Sequence, residues 1–181
     1  MLVSVIGLGY IGLPTAALIA SKGVKVIGVD NNPAIVKTIK EGKIHIVEPD
    51  LDNFVESAID NGNLKVSLKP VKANVFIIAV PTPFKSGYEP DLSYVKAAAK
   101  AISPLLEKDN LVILESTSPV GTTEKLIEWM FEERADLSFP REFNQEVFDI
   151  SVAYCPERVL PGNVMNELVE NDRIIGGVTP Q

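Results

Sequence analysis

The feature that most constrains the fold is a glycine-rich turn at residues 7–12, which read GLGYIG. Before it, Leu2–Ile6 is a short apolar run typical of a buried parallel strand. After it, residues 11–22 form an apolar segment that we predict to be a helix. A second predicted strand, Lys25–Val29, ends directly before Asp30. A strand, a glycine-rich turn, a helix, a strand and an acid in this order predict a nucleotide-binding α/β unit.

Each residue type in this unit suits a dinucleotide. Gly7 permits a tight turn, Gly9 lets a pyrophosphate approach the backbone, and Gly12 lets the helix pack closely. The N–H groups and the dipole at the start of the helix attract phosphate. Asp30 is spaced to accept ribose hydroxyls, and its charge would repel a 2′-phosphate. The sequence therefore predicts NAD rather than NADP, with these cofactor-binding residues so far: Gly7, Gly9, Tyr10, Ile11, Gly12 and Asp30.

Composition excludes several classes of function. The chain has 181 residues and a net charge of −7, which argues against a nucleic-acid partner. A single cysteine forms no internal disulfide, so we expect a reducing cytoplasm, and one cysteine with one histidine argues against a metal site. The apolar N-terminus has no basic segment and contains Pro14, so we predict neither a signal peptide nor a membrane helix.

Apolar runs and helix patterns alternate along the whole chain. Further strands are predicted at residues 64–67, 75–80, 111–114, 151–154 and 173–175. Further helices are predicted at residues 33–40, 51–60, 92–103 and 121–133, with a short one after residue 162. Asp50 and Asp91 are predicted helix caps, and residues 134–149 a loop with one helical turn. The alternation predicts an α/β fold with a doubly wound, mostly parallel sheet, forming one Rossmann-like domain over residues 1–181.

In such a sheet the ligand crevice lies beyond the carboxyl ends of the strands. Five segments follow predicted strand ends: residues 7–12, Asp30, residues 81–83, residues 116–120 and residues 156–162. Their convergence on one edge predicts a substrate site beside the cofactor.

Four motifs resemble the N-terminal domain of the UDP-glucose/GDP-mannose dehydrogenase family. They are GLGYIG at 7–12, VPTP at 80–83, ESTSPVGTT at 115–123 and PERVLPG at 156–162, and they span most of the chain. The resemblance implies oxidation of a nucleotide sugar at C6 to a carboxylate, with two NAD and through an aldehyde. PERVLPG is similar to the branch of that family that oxidises UDP-N-acetyl-D-mannosamine to UDP-N-acetyl-D-mannosaminuronate.

The resemblance also implies roles for individual residues. Glu157 would lie near the sugar and assist the water and proton steps, and Thr117 would hold the catalytic water. The cofactor would be lined by Val80, Pro81, Thr82, Ser116 and Thr117. The UDP-sugar substrate would contact Glu157, Arg158, Val159 and Leu160. The full-length protein is expected to be a homodimer.

One departure from the family pattern limits the expected activity. The family's second oxidation uses a cysteine in a glycine-rich loop, whereas the one cysteine here, Cys155, lies in a different motif. A central helical region and a C-terminal UDP-binding domain would follow in the family. We therefore expect this chain alone to bind NAD without completing turnover. The alternatives are a UDP-glucose or UDP-N-acetylglucosamine 6-dehydrogenase, a β-hydroxyacid-type NAD dehydrogenase, and a non-enzymatic nucleotide-sensing module.

Overall fold

The structure is a computed structural model that describes residues 1–141 and 147–179. In these residues one sheet of seven strands has the order β3-β2-β1-β4-β5-β6-β7. The first six strands pair in parallel and β7 is antiparallel to β6. The strands are β1 (Leu2–Ile6), β2 (Lys25–Val29), β3 (Leu64–Ser67), β4 (Val75–Ile78), β5 (Asn110–Leu114), β6 (Ile150–Tyr154) and β7 (Gly176–Gly177).

Helices follow most of the strands and cover both faces of the sheet, whereas residues 68–74 join β3 to β4 without a helix. The α-helices in the described residues are α1 (Gly12–Ser21), α2 (Pro33–Lys40), α3 (Leu51–Asp60), α4 (Ser93–Ile102), α5 (Thr122–Glu133) and α6 (Val164–Glu170). A 3₁₀ turn at Ser103–Leu105 continues α4. The predicted doubly wound, mostly parallel α/β sheet is thus confirmed.

The alternating side chains of β4 show how the sheet divides the core. Phe76 and Ile78 belong to an apolar layer with residues of α4 and α5. Ile77 belongs to the opposite layer, with residues of α1, α2, α3 and α6. Because both faces are covered, the central strands are apolar at nearly every position, which made them recognisable in the sequence.

The strand order reverses direction at β1, which pairs with β2 on one side and β4 on the other. The turn after β1 is joined to both neighbours. Gly7 N donates to Val29 O at 2.8 Å, and Ala79 N donates to Ile6 O at 2.8 Å. The chain leaves β1 and β4 toward opposite faces of the sheet, since α1 lies in one apolar layer and α4 in the other. A crevice between such connections is where sheets of this kind bind ligands.

The predicted final strand at residues 173–175 is wrong. The strand lies at Gly176–Gly177, where Gly176 pairs with Tyr154 and Gly177 with Ala153. The β-branched Ile174 and Ile175 suggested a strand, but both are mostly exposed. The strand predicted at 75–80 ends at Ile78, two residues early, because the chain turns toward Pro81.

Two of the predicted helix caps differ from expectation. Asp50 precedes α3, but its φ of +63° places it in the left-handed region and its side chain makes no capping hydrogen bond. Leu92, not Asp91, occupies the N-cap position of α4, and Asp91 Oδ1 accepts the N–H of Ser93 at 3.0 Å. The loop with one helical turn predicted at residues 134–149 falls partly on residues 142–146, outside the described residues. No described helix combines the length and apolar character needed to cross a membrane.

Candidate functional site

A cleft of about 840 Å³ opens at the carboxyl ends of β1 and β4. Four of the five predicted segments contribute to its wall, and the fifth, residues 156–162, does not line it. The predicted cofactor residues that line the cleft are Gly7, Gly9, Tyr10, Ile11, Asp30, Val80, Pro81, Thr82, Ser116 and Thr117. Apolar side chains complete one end, among them Ile35, Leu68 and Pro70.

The three glycines of the turn differ in what surrounds them. Gly7 has φ +92°, and a Cβ added there would lie 2.6 Å from Ala79 O. A Cβ at Gly12 would lie 1.8 Å from Gly7 O, so the start of α1 packs on the turn itself. A Cβ at Gly9 would meet nothing within 4 Å, because Gly9 faces the open cleft. Gly7 and Gly12 therefore build the turn, and Gly9 leaves room for a ligand.

The start of α1 offers hydrogen-bond donors to an anion. Leu13 N and Thr15 N donate to carbonyls of the preceding turn, whereas no bond to a described residue uses the N–H of Tyr10 or Ile11. The first turn of α1 carries no acidic side chain. Free N–H groups at the positive end of a helix dipole fit a pyrophosphate, and Gly9 leaves it space.

The carboxylate of Asp30 is held by backbone groups on two sides. Its Oδ2 accepts the N–H of Leu8 at 3.0 Å, and its Oδ1 accepts the N–H of Asn32 at 2.9 Å. Each oxygen keeps a further acceptor position. Asp30 is therefore a fixed acceptor in the cleft wall, suited to the two hydroxyls of a ribose.

Two hydroxyl groups join the loops that follow β4 and β5. Ser116 Oγ donates to Val80 O at 2.7 Å, and Thr82 Oγ1 donates to Thr117 O. Ser116 is buried, whereas Thr117 is exposed and its hydroxyl bonds to no other described residue. Ser116 and Thr82 thus hold the loops after β4 and β5 together. The Thr117 hydroxyl is available to a ligand or a water.

Residues 156–162 follow β6 and lie outside the lining of the cleft. The Oε1 atom of Glu157 accepts the N–H of Val159 at 2.6 Å, and its Oε2 is buried without a hydrogen-bond partner in the described chain. Arg158 is exposed and has no ion pair in the described residues, and Leu160 is also exposed. The predicted substrate residues therefore lie together, next to the cofactor cleft and not inside it.

Sequence reasoning missed Glu115, which lines the cleft at the end of β5. The residue is 2% exposed. Its Oε1 accepts Arg173 Nη1 at 2.8 Å, and its Oε2 has no partner among the described residues. Arg173 Nη1 also lies 3.6 Å from Cys155 Sγ. An acid directly after an apolar strand was the available signal, as at Asp30.

The model of the UDP-glucose/GDP-mannose dehydrogenase family, NAD binding domain, matches residues 1–181. The chain belongs to this family. It is 61% identical over 179 residues to UDP-N-acetyl-D-mannosamine dehydrogenase of Yersinia pestis, covering 99% of this chain and 42% of the relative. It is 59% identical over 179 residues to NDP-N-acetyl-D-galactosaminuronic acid dehydrogenase of Ralstonia solanacearum, covering 99% of this chain and 42% of that protein.

Solved structures of the UDP-glucose/GDP-mannose dehydrogenase family share the fold. UDP-N-acetyl-mannosamine dehydrogenase from Staphylococcus aureus has a TM-score of 0.89 at 41% identity, covering 98% of this chain and 42% of that one. GDP-mannose dehydrogenase from Pseudomonas aeruginosa has a TM-score of 0.88 at 25% identity, covering 98% and 41%. The present chain thus spans about 42% of the length of the relatives that it matches.

The family match confirms NAD as the cofactor, because the matched part is the family's NAD binding domain. The cleft fits this cofactor in three respects. Gly9 leaves space at the turn, the N–H groups of Tyr10 and Ile11 are free among described residues, and Asp30 offers a carboxylate. The role of each residue at the cofactor stays a prediction.

The surroundings of the buried Glu115 shift the pKa of its carboxyl group. Burial raises the pKa of the Glu115 carboxyl, and the hydrogen bond and charge of Arg173 act in the opposite direction. Glu157 adds a smaller repulsion that also raises the pKa of Glu115. Burial likewise raises the pKa of the Cys155 thiol, against the charge of Arg173. Cys155 is therefore a buried thiol rather than an activated nucleophile.

Proposed function

We propose that this chain is the NAD-binding part of a nucleotide-sugar 6-dehydrogenase that oxidises UDP-N-acetyl-D-mannosamine to UDP-N-acetyl-D-mannosaminuronate. One observation carries the proposal: relatives named UDP-N-acetyl-D-mannosamine dehydrogenase are 58–63% identical over 98–99% of the chain. The matched region covers almost the whole chain, so it includes the loops that line the cleft. These relatives favour a nucleotide-sugar dehydrogenase over a β-hydroxyacid-type NAD dehydrogenase or a nucleotide-sensing module.

The proposed reaction removes four electrons from the C6 primary alcohol. Two NAD accept them as two hydrides, water supplies one oxygen atom, and three protons are released with the carboxylate. When bound, NAD supplies the hydride acceptor. The residues of this chain bind and orient the cofactor, position the reacting water and handle protons.

Proton and water handling falls to Thr117 and Glu157 in this proposal. The Thr117 hydroxyl has no partner among described residues and can both donate to and accept from a water. Glu157 Oε1 is held by Val159 N, and its buried Oε2 is an open acceptor. A carboxylate held in this way can take a proton from the alcohol or from the water. Arg158, exposed and without an ion pair in the described residues, suits the anionic diphosphate.

A second candidate substrate is the corresponding N-acetylgalactosamine derivative. Relatives from Ralstonia named NDP-N-acetyl-D-galactosaminuronic acid dehydrogenase are 59% identical over 179 residues. The two named substrates share an N-acetyl group on the hexose and differ in ring stereochemistry. We expect UDP-N-acetyl sugars to be preferred to UDP-glucose in either case.

Three further features belong to the proposal. We expect residues 1–181 to be one domain, followed by a central helical region and a C-terminal UDP-binding domain. We expect the full-length protein to form a homodimer. We also expect it to act in the cytoplasm, where the single cysteine of this chain stays reduced.

The proposal is tested by assaying the full-length gene product with a panel of UDP sugars and NAD. We expect two NADH per UDP-N-acetyl-D-mannosamine and a uronate identified by mass spectrometry. The isolated chain should bind NAD in a calorimetric titration without turnover. Turnover of UDP-glucose in preference to both N-acetyl sugars would contradict the substrate assignment. NAD reduction by this chain alone would contradict the proposal that turnover needs the rest of the full-length protein.

A further inference from the structure

The backbone N–H groups of the loop from residue 159 to residue 164 all have acceptors. Val159 N donates to Glu157 Oε1 at 2.6 Å, and Leu160 N donates to Glu167 Oε2 at 2.8 Å. Asn163 N donates to Leu160 O at 3.2 Å, and Pro161 has no N–H. Residues 159–164 therefore offer no free N–H group to a diphosphate, and the exposed Arg158 supplies a positive charge beside them.

The two remaining N–H groups bond to one distant carboxylate. Glu48, in the loop between α2 and α3, accepts Gly162 N at 2.8 Å through Oε2 and Val164 N at 2.6 Å through Oε1. Glu48 is 4% exposed. It lies 114 residues before Gly162 in the chain, so this contact joins two segments that are distant in sequence.

We propose that Glu48 is a positioning residue for nucleotide-sugar binding, because it fixes the loop that carries Glu157 and Arg158. The inference rests on the proposed function, in which that loop contacts the UDP sugar. Hydrogen bonds to an ionised carboxylate are stronger than those between neutral groups. Glu48 therefore sets the conformation of the loop before the substrate arrives, which lowers the cost of ordering it on binding.

The geometry requires a glutamate and no close substitute. Glutamine offers one oxygen, so its NH₂ group would face one of the two N–H donors and leave that donor unpaired. Aspartate is one methylene shorter and reaches at most one of the two donors. Asp50 provides a matched control, because it is exposed, lies two residues away and makes no capping hydrogen bond.

The first measurement is hydrogen exchange of individual backbone amides in Glu48→Gln and in Asp50→Asn. We expect at least one of the Gly162 and Val164 amides to exchange about tenfold faster or more in Glu48→Gln, and both to exchange at the wild-type rate in Asp50→Asn. Unchanged exchange in Glu48→Gln would overturn the contact itself. This outcome does not depend on the identity of the substrate.

The second measurement is kinetics of the full-length gene product. In Glu48→Gln we expect KM for UDP-N-acetyl-D-mannosamine to rise about tenfold, while KM for NAD stays within about twofold of wild type, since Glu48 does not line the cofactor cleft. A general loss of stability would affect both constants. If Glu48→Gln fails to fold, Glu48→Asp, which reaches at most one of the two donors, is expected to give the same pattern.

The two measurements separate the failure of this inference from that of the proposed function. Faster amide exchange with an unchanged KM for the UDP sugar would overturn the positioning role. A wild-type enzyme that oxidises no UDP sugar would overturn the proposed function and the positioning role with it, and the exchange data would still report the contact.

Discussion

Leu8 N and Asp30 Oδ2 lie 3.0 Å apart, so the turn after β1 donates a hydrogen bond to the acid at the end of β2. The two residues are brought together because β1 and β2 are parallel neighbours whose carboxyl ends lie on one edge. The pyrophosphate and ribose parts of the predicted cofactor site are therefore one connected unit. Substitution of Asp30 therefore removes the predicted acceptor for the ribose and also the hydrogen bond to the turn after β1.

Asp30 is expected to set the preference for NAD. Wild type should bind NAD at least about tenfold more tightly than NADP, about 1.4 kcal/mol, because a 2′-phosphate would meet a fixed carboxylate. In Asp30→Asn the affinity for NAD should fall and the ratio of the two affinities should decrease. Calorimetric titration measures both. Asp50→Asn removes the same charge outside the cleft and should leave both affinities unchanged. Equal binding of NADP by wild type would contradict this role.

Gly9→Ala and Gly12→Ala are expected to fail in different ways. A Cβ at Gly12 would lie 1.8 Å from the Gly7 carbonyl oxygen, so the backbone must move. We expect the free energy of unfolding of Gly12→Ala to fall by about 3 kcal/mol or more. A Cβ at Gly9 meets only open space. Gly9→Ala should unfold like wild type in urea and bind NAD about tenfold more weakly or worse. Wild-type affinity in folded Gly9→Ala would show that no phosphate approaches Gly9.

The parts of the fold that sequence predicted are those governed by local physics. The turn at residues 7–12 requires glycines because Gly7 has a positive φ and Gly12 packs closely on the turn. Both glycines are visible in the sequence at the spacing typical of such a turn. Buried parallel strands such as β1 and β4 are apolar runs for the same reason. Asp30 follows from the spacing of these elements.

The parts that sequence missed depend on contacts between distant residues. Glu115 differs from an ordinary loop acid because Arg173, 58 residues later, supplies its counter-charge. The same bond directs the Arg173 side chain toward Glu115, and the strand expected at residues 173–175 forms at Gly176 and Gly177. Glu48 accepts hydrogen bonds from Gly162 N and Val164 N, which are 114 and 116 residues away in sequence. The residue pattern around each partner does not predict hydrogen bonds between residues so far apart in sequence.

Ser116 and Thr117 are adjacent, and their substitution is expected to have opposite consequences. Ser116→Ala removes the bonds to Val80 O at 2.7 Å and to Ile78 O at 3.3 Å, so the free energy of unfolding should fall by about 1 kcal/mol. Thr117→Val removes an exposed hydroxyl without a partner in the described chain, so stability should hold. In the full-length product, Thr117→Val should lower kcat at least about tenfold with unchanged NAD affinity. Thermal unfolding and steady-state kinetics measure these effects, and undiminished kcat in Thr117→Val would contradict the role given to its hydroxyl.

Glu115 is expected to make stability fall as pH rises. Its pKa in the folded chain is raised above the reference value of 4.5, mainly by burial. The folded state therefore keeps its proton after the unfolded state has lost it, so the contribution of this group to stability is complete below about 4.5 and is lost as pH rises through the folded pKa. Glu115→Gln should flatten this part of the pH dependence.

Arg173→Met provides the opposing test for Glu115. Without the guanidinium that lowers it, the pKa of Glu115 should rise further, so the decline in stability should extend to higher pH. Urea unfolding at several pH values between 4.5 and 8 measures the slope. Glu128→Gln, which removes an exposed glutamate on α5, should keep the wild-type slope. If Glu115→Gln and Arg173→Met both share the wild-type slope, the Glu115 carboxyl does not hold its proton in the folded chain, and the charge at the end of β5 must be balanced by another group in the cleft.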